Sequence, residues 1–163
     1  LHNQKCISVL LAHPKFVRNV KKNVQDALIK GANLIYGNLK KNDNPYMSSV
    51  FILEGIKKNM NLISTETIGP VCSIIKSKNF EDSISIANYG KYNIAGAIIS
   101  KNKYKIKIAK DKMNVNQLNI NNVPGHRSEV TPFGGSNYSG NFYKEGLICA
   151  ANEMSNLKVN YFN

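Results

Sequence analysis

Arginine is nearly missing from this chain: of 22 cationic side chains, only those of Arg18 and Arg127 are guanidinium groups, set against 10 carboxylates. A formal charge of +12 would ordinarily point to nucleic acid or an anionic membrane. Forked contacts to phosphates and base edges are the work of arginine, however. Here the charge sits on lysines scattered among abundant Asn and Ile, the pattern of compositional drift on solvated faces, and nucleic acid is discounted as a partner. Cysteine is scarce as well. Cys6, Cys72 and Cys149 are odd in number, widely spaced and form no Cys-x-x-Cys pair, which argues against a disulfide framework and a zinc site. His2, His13 and His126 add no ligand spacing, so no metal is expected. No apolar run reaches membrane-spanning length and no charged-then-apolar leader opens the chain. The expectation is a reducing, cytoplasmic setting without a membrane partner, with the start at Leu1 rather than Met read as a fragment boundary.

What is present suffices for a core. With 163 residues, 42% of them hydrophobic, the chain is expected to form one domain. Val17, Val20, Val24 and Leu28 recur at helical spacing with Gly31 as a stop. Asn79 with Asp82 three residues on caps a second helix, whose face is Phe80, Ile84 and Ala87 and whose stop is Gly90. A third helix is predicted over 103–113 and a fourth over 142–155. Strand-like apolar runs fall at 34–36, 50–53, 71–75, 95–99, 115–121 and 157–162. Helices alternating with such runs predict an α/β domain with a largely parallel sheet flanked by helices.

Residues 121–141 are rich in Gly, Pro, Ser and Asn and show no periodicity. A loop this long inside a compact domain is functional, disordered or a plain surface excursion. It runs into Pro132-Phe133-Gly134-Gly135-Ser136-Asn137-Tyr138-Ser139-Gly140 and then Tyr143-Lys144-Glu145-Gly146. Upstream stand Glu66-Thr67-Ile68-Gly69-Pro70 and Asn3-Gln4-Lys5-Cys6. Together, in this order, the three blocks resemble the C-terminal part of the catalytic domain of the aldehyde dehydrogenase superfamily. Members of that superfamily are several-fold longer. The resemblance therefore implies a single partial catalytic domain over 1–163, with the nucleotide-binding domain absent from these residues.

The resemblance also implies a chemistry. Aldehyde oxidation needs a nucleophile that adds to the carbonyl, giving a tetrahedral adduct from which hydride can leave to a nicotinamide. Cys6 would be that nucleophile, Lys5 beside it a cation favouring thiolate, and the Cys6 backbone N–H half of an oxyanion hole. In the family the side-chain half and the general base come from upstream sequence. Taken without the resemblance, Cys6 beside Ile7, Val9 and Leu10 reads as a small buried hydrophobe. Glu66 would accept from the two ribose hydroxyls of NAD or NADP. Ile68 stands where the family has an aromatic ring beside the nicotinamide. Otherwise Glu66 is a solvated carboxylate, and Gly69-Pro70 a turn. Phe133 would be an apolar wall of the substrate entrance. Lys5 and Arg127 match the cations with which some relatives hold an aldehyde bearing phosphate, phosphonate or carboxylate; the plain alternative is Arg127 paired with Glu129.

Asn137 replaces a family Lys, and Phe142 stands where the family has a small residue and where a positive φ would disfavour bulk. The final run, 157–163, resembles the strand with which members extend a partner subunit's sheet, implying a homo-oligomer. The implied function is NAD(P)-dependent oxidation of an aldehyde, favouring an anionic one, by a fragment whose isolated activity and cofactor binding would be weak or absent. Two further readings stay open: an inactive remnant acting at most as a partner-binding domain, and a basic interaction module that retains the fold.

Overall fold

The structure, a computed structural model, describes residues 7–40 and 43–162. The chain divides into two compact units, Leu1–Lys78 and Asn79–Asn163. In the first, strand β1 (Ser8–Leu10) leads into helix α1 (Pro14–Ile29), followed by β2 (Asn33–Tyr36), β3 (Met47–Ser49), β4 (Phe51–Glu54), the one-turn helix α2 (Asn61–Ser64) and β5 (Val71–Ile74). In the second, α3 (Phe80–Ala87) precedes β6 (Tyr92–Asn93), β7 (Ala95–Ile98), α4 (Lys103–Lys112), β8 (Gln117–Ile120), β9 (Ser136–Asn137) and α5 (Leu147–Glu153).

The helices form for local reasons. At α1, His13 Nδ1 accepts from Lys15 N at 3.0 Å while Pro14 opens the helix, a position where its missing N–H costs nothing. Gly31, at φ +91, closes it as the C-terminal turn requires. Asn79 Oδ1 accepts from Asp82 N at 2.8 Å to start α3, and Asn102 Oδ1 accepts from Tyr104 N and Lys105 N to start α4. α5 begins later than the predicted 142. Phe142 and Gly146 take φ values of +68 and +132, and Phe133 and Glu145 pair as an isolated antiparallel bridge, so backbone before Leu147 is committed elsewhere.

The expected largely parallel sheet is corrected to a mixed one. β4 pairs parallel with β5 and antiparallel with β2, forming a three-stranded sheet; β1 pairs antiparallel with β3. In the second unit β7–β8 is parallel and β6–β9 antiparallel. An apolar run states that a strand is buried but not which way its neighbour points, because each direction hides the same side chains. Residues 157–162, read as a strand, pair with none among the described residues, and Leu157, Tyr161 and Phe162 are more than nine-tenths exposed. No helix among the described residues is long and apolar enough to cross a membrane.

Burial differs between the units. In the first, Val20, Val24 and Ala27 of α1 meet Phe51 and Leu53 of β4, with Ile56 and Met60 closing the cluster. In the second, the buried apolar residues are Ile84 and Ala109, and the buried polar residues are Asn93 and Ser136. Amide side chains take over the bracing there. Asn88 receives Asn114 N and donates to Lys112 O; Asn93 donates to Asn114 O at 2.7 Å and accepts from Asn137 Nδ2 at 2.9 Å; Ser139 Oγ accepts from Asn93 N.

Leu53→Ala is expected to destabilise the chain by about 2–5 kcal/mol, since it empties a site with no solvent exposure. Ile29→Ala, at a side chain 87% exposed, should stay within about 0.5 kcal/mol. Urea unfolding midpoints check the contrast, and equal losses would count against the described core.

Candidate active site

The Glu66–Pro70 block is seated against α1. Asn23, 7% exposed, donates through Nδ2 to Thr67 Oγ1 at 2.9 Å and Thr65 Oγ1 at 3.4 Å. Gly69 lies so close to α1 that a Cβ there would overlap Val20 Cγ2. Beyond it, Pro70 O accepts from Phe51 N at 2.8 Å and β5 begins. These contacts fix the backbone on both sides of Glu66 and Ile68 while their side chains face outward, both exposed. The approach is secured from the other side by Asp26. Its Oδ2 accepts from Asn61 N at 2.8 Å, capping α2, and its Oδ1 pairs with Lys30 Nζ at 2.7 Å. The hydrogen bond from Asn61 and then that from Lys30 hold the Asp26 carboxyl below its usual pKa.

In the second unit the loop before β9 brings two predicted residues together. The Arg127 guanidinium lies 4.3 Å from the centroid of the Phe133 ring, a cation–π stack in place of the alternative pairing with Glu129. Phe133 is anchored through its backbone, N to Glu145 O at 2.7 Å and O from Glu145 N at 2.6 Å. The next carbonyl, Gly134 O, accepts from both Asn116 Nδ2 at 2.9 Å and Lys144 Nζ at 2.8 Å. Gly134 leaves no room for a side chain, since a Cβ would meet Tyr143 O. Phe142 does adopt the left-handed backbone, with its N–H on Gly135 O at 3.2 Å. Asn137 also has a positive φ of +53, a conformation asparagine tolerates better than most. The Tyr143 phenol is pushed up to about 12, chiefly by the Glu153 carboxylate and then by desolvation.

Of the predicted site residues, Lys5 and Cys6 lie outside the described residues. Glu66 and Ile68 share one segment of the first unit, and Arg127 and Phe133 share one loop of the second. Among the described residues no three His, Cys, Asp or Glu side chains gather as a metal site. Of the residues that brace these parts of the chain, Asn23, Asp26, Asn93 and Asn116 carry no motif, whereas Lys144 falls inside the Tyr143–Gly146 block. In a chain this rich in Asn and Lys, nothing in the sequence separates a bracing amide from a solvated one.

Comparison with known proteins shows the family that the sequence resembles. A sequence model described as the aldehyde dehydrogenase family matches residues 9–160. The chain is 30% identical over 150 residues to a lactaldehyde dehydrogenase of Methanococcus maripaludis, covering 91% of this chain and 31% of that protein. It is 32% identical to a sulfoacetaldehyde dehydrogenase of Neptuniibacter caesariensis, covering 83% and 29%. With the rat mitochondrial succinate-semialdehyde dehydrogenase it shares 31% identity, covering 80% and 25%. Among solved structures, a glyceraldehyde-3-phosphate dehydrogenase of Methanocaldococcus jannaschii complexed with NADP superposes at a TM-score of 0.81 with 31% identity, over 91% of this chain and 31% of that one. The chain thus spans less than a third of the length of these relatives.

Two substitutions test the bracing. Asp26 has a lowered pKa, so its contribution is fully present above its unfolded value near 3.8 and is lost as pH falls through the folded pKa. The stability gap between the native chain and Asp26→Asn should therefore be wide at pH 6 and close below pH 4. A gap that does not change with pH would mean that the carboxylate is not the capping species. Asn93→Ala should cost about 1–3 kcal/mol for each buried partner left unsatisfied, measured by thermal unfolding, whereas a neutral result would show the amide chain to be dispensable.

Proposed function

The chain belongs to the aldehyde dehydrogenase family, and from that premise we propose that it supplies the cysteine nucleophile, ribose-binding and substrate-entrance segments of an NAD(P)-dependent enzyme that oxidises an anionic aldehyde to the acid. The observation that carries the anionic preference is Arg127 stacked on Phe133. It joins a permanent cation to the apolar wall on a single loop. Sulfoacetaldehyde and succinate semialdehyde, named for two of the relatives, combine an aldehyde with a sulfonate or carboxylate, which is consistent with such a wall.

In this reading the Cys6 thiolate adds to the aldehyde carbon, and the oxyanion of the thiohemiacetal is met by the Cys6 backbone N–H. Lys5 and Arg127 hold the substrate's anionic end. A nicotinamide nucleotide, when bound, supplies the hydride acceptor. The residues present fit its ribose: Glu66 is exposed and makes no hydrogen bond or ion pair among the described residues, leaving both carboxylate oxygens for vicinal hydroxyls. Ile68, exposed two residues on, offers apolar surface without a ring, so it orients a nicotinamide less sharply than an aromatic would. The same proposal includes a cytoplasmic setting and association through residues 157–163.

For the 163 residues assayed by themselves, we expect negligible turnover and no tight NAD or NADP binding. The second oxyanion donor is worth about a hundredfold to a thousandfold, and the general base roughly a hundredfold or more. In the family both lie outside the blocks matched here.

Mass-spectrometric mapping of thiol alkylation tests the site. Cys6 should react, and succinate semialdehyde should slow that reaction more than butanal does. Arg127→Ala should narrow the difference by about tenfold, the worth of one charge-assisted contact. Equal protection by both aldehydes would remove the anionic preference. Steady NADH or NADPH formation abolished by Cys6→Ser, or micromolar cofactor affinity by calorimetry, would overturn the expected inactivity of the isolated chain.

A further inference from the structure

The lysines of this chain are not evenly spread once folded. Of its 20 lysines, counted as 22 cationic residues less the two arginines, six fall within residues 101–112, together with a single carboxylate, Asp111. All six are exposed. Helix α4 sorts them. Its buried Ala109 and half-buried Ile106 and Ile108 define the packed side. Lys105 is drawn to one flank, its Nζ 5.5 Å from the centroid of the Phe80 ring. Lys103, Lys107 and Lys110 stand four and three residues apart, so they align on the opposite, solvated face. None of the three makes a hydrogen bond or ion pair among the described residues. At 1.5 Å per residue the row covers about 10 Å. Beside it Tyr104 is 71% exposed, an aromatic ring held in water by the first turn of the helix.

We propose that this face of α4 docks the phosphate backbone of a single-stranded polynucleotide, with Lys103, Lys107 and Lys110 as point charges and Tyr104 as a stacking surface. Three ammonium groups on flexible stems, set out along this row, can each meet a phosphate of one strand. An aromatic beside a basic track is the combination by which single strands are held without sequence readout. Lysine in place of arginine fits backbone contact rather than base recognition. An anionic membrane fits less well: a helix that lies on a bilayer must offer an apolar face to it, and the apolar side of α4 is turned into its own unit. The scattered charge that the sequence suggests is, on this one helix, a single continuous surface.

The test is fluorescence anisotropy of a short labelled oligothymidylate titrated with the 163-residue chain. Affinity in the range of about 10⁻⁴ to 10⁻⁶ M is expected. Three neutralised phosphates give a slope of log K against log salt of about −2, or roughly twentyfold weaker binding between 50 and 200 mM salt. The triple variant Lys103→Gln, Lys107→Gln, Lys110→Gln keeps good helix formers, and circular dichroism verifies its fold; it should weaken binding more than about tenfold. A charge-matched control, Lys15→Gln, Lys57→Gln, Lys76→Gln, at exposed lysines outside α4, should change affinity less than about twofold. Tyr104→Ala should weaken binding without altering the salt slope. Equal loss in the two triple variants would reduce the effect to net charge and overturn the assignment. No binding at 50 mM salt, or tighter retention on phosphatidylserine vesicles with the same α4 dependence, would overturn it as well.

Discussion

Backbone in this chain is held in place by side-chain amides wherever apolar side chains run short. Asn23 is the clearest instance in the first unit: from a buried position on α1 it reaches two threonine hydroxyls and fixes the segment on which Glu66 sits. Asn93 does the corresponding work in the second unit, with donor and acceptor both engaged. A buried amide that loses a partner is costly, so each such bond is a strong local constraint. Asn23 holds the Glu66 segment directly, whereas Asn93 ties β6 to Asn114 and β9.

The two segments present different chemistry. Around Glu66 the backbone is seated and the carboxylate is exposed, with no hydrogen bond or ion pair among the described residues. Around Phe133 a carbonyl is gripped by Asn116 and Lys144 while the ring carries Arg127 on its face. The contact holds the intrinsically planar guanidinium over the ring face, and a guanidinium so placed can still donate to an anion. An arginine committed to Glu129 would have offered neither.

Much of this was legible before folding. The valine spacing and Gly31 mark α1, Asn79 marks the start of α3, and the motif blocks point to the family that the sequence comparison shows. Strand direction was not legible, because Phe51 and Leu53 read the same whether β5 runs with β4 or against it. The later start of α5 was hidden because Phe142 is an ordinary helix residue until Gly135 O claims its amide. The asparagine bracing was hidden for a compositional reason: when Asn is everywhere, Asn93 has no signature, and only its neighbours in space reveal what it does.

Gly69 illustrates a constraint that neither residue involved displays alone. With no space for a Cβ beside Val20, alanine at 69 becomes admissible only if the residue at 20 shrinks, and valine at 20 is tolerable only while 69 stays bare. The two positions are therefore one unit of variation, distant in sequence and joined by a steric rule. In a lineage free to drift elsewhere, exchange at either would have to be compensated at the other or accepted as a displaced Glu66.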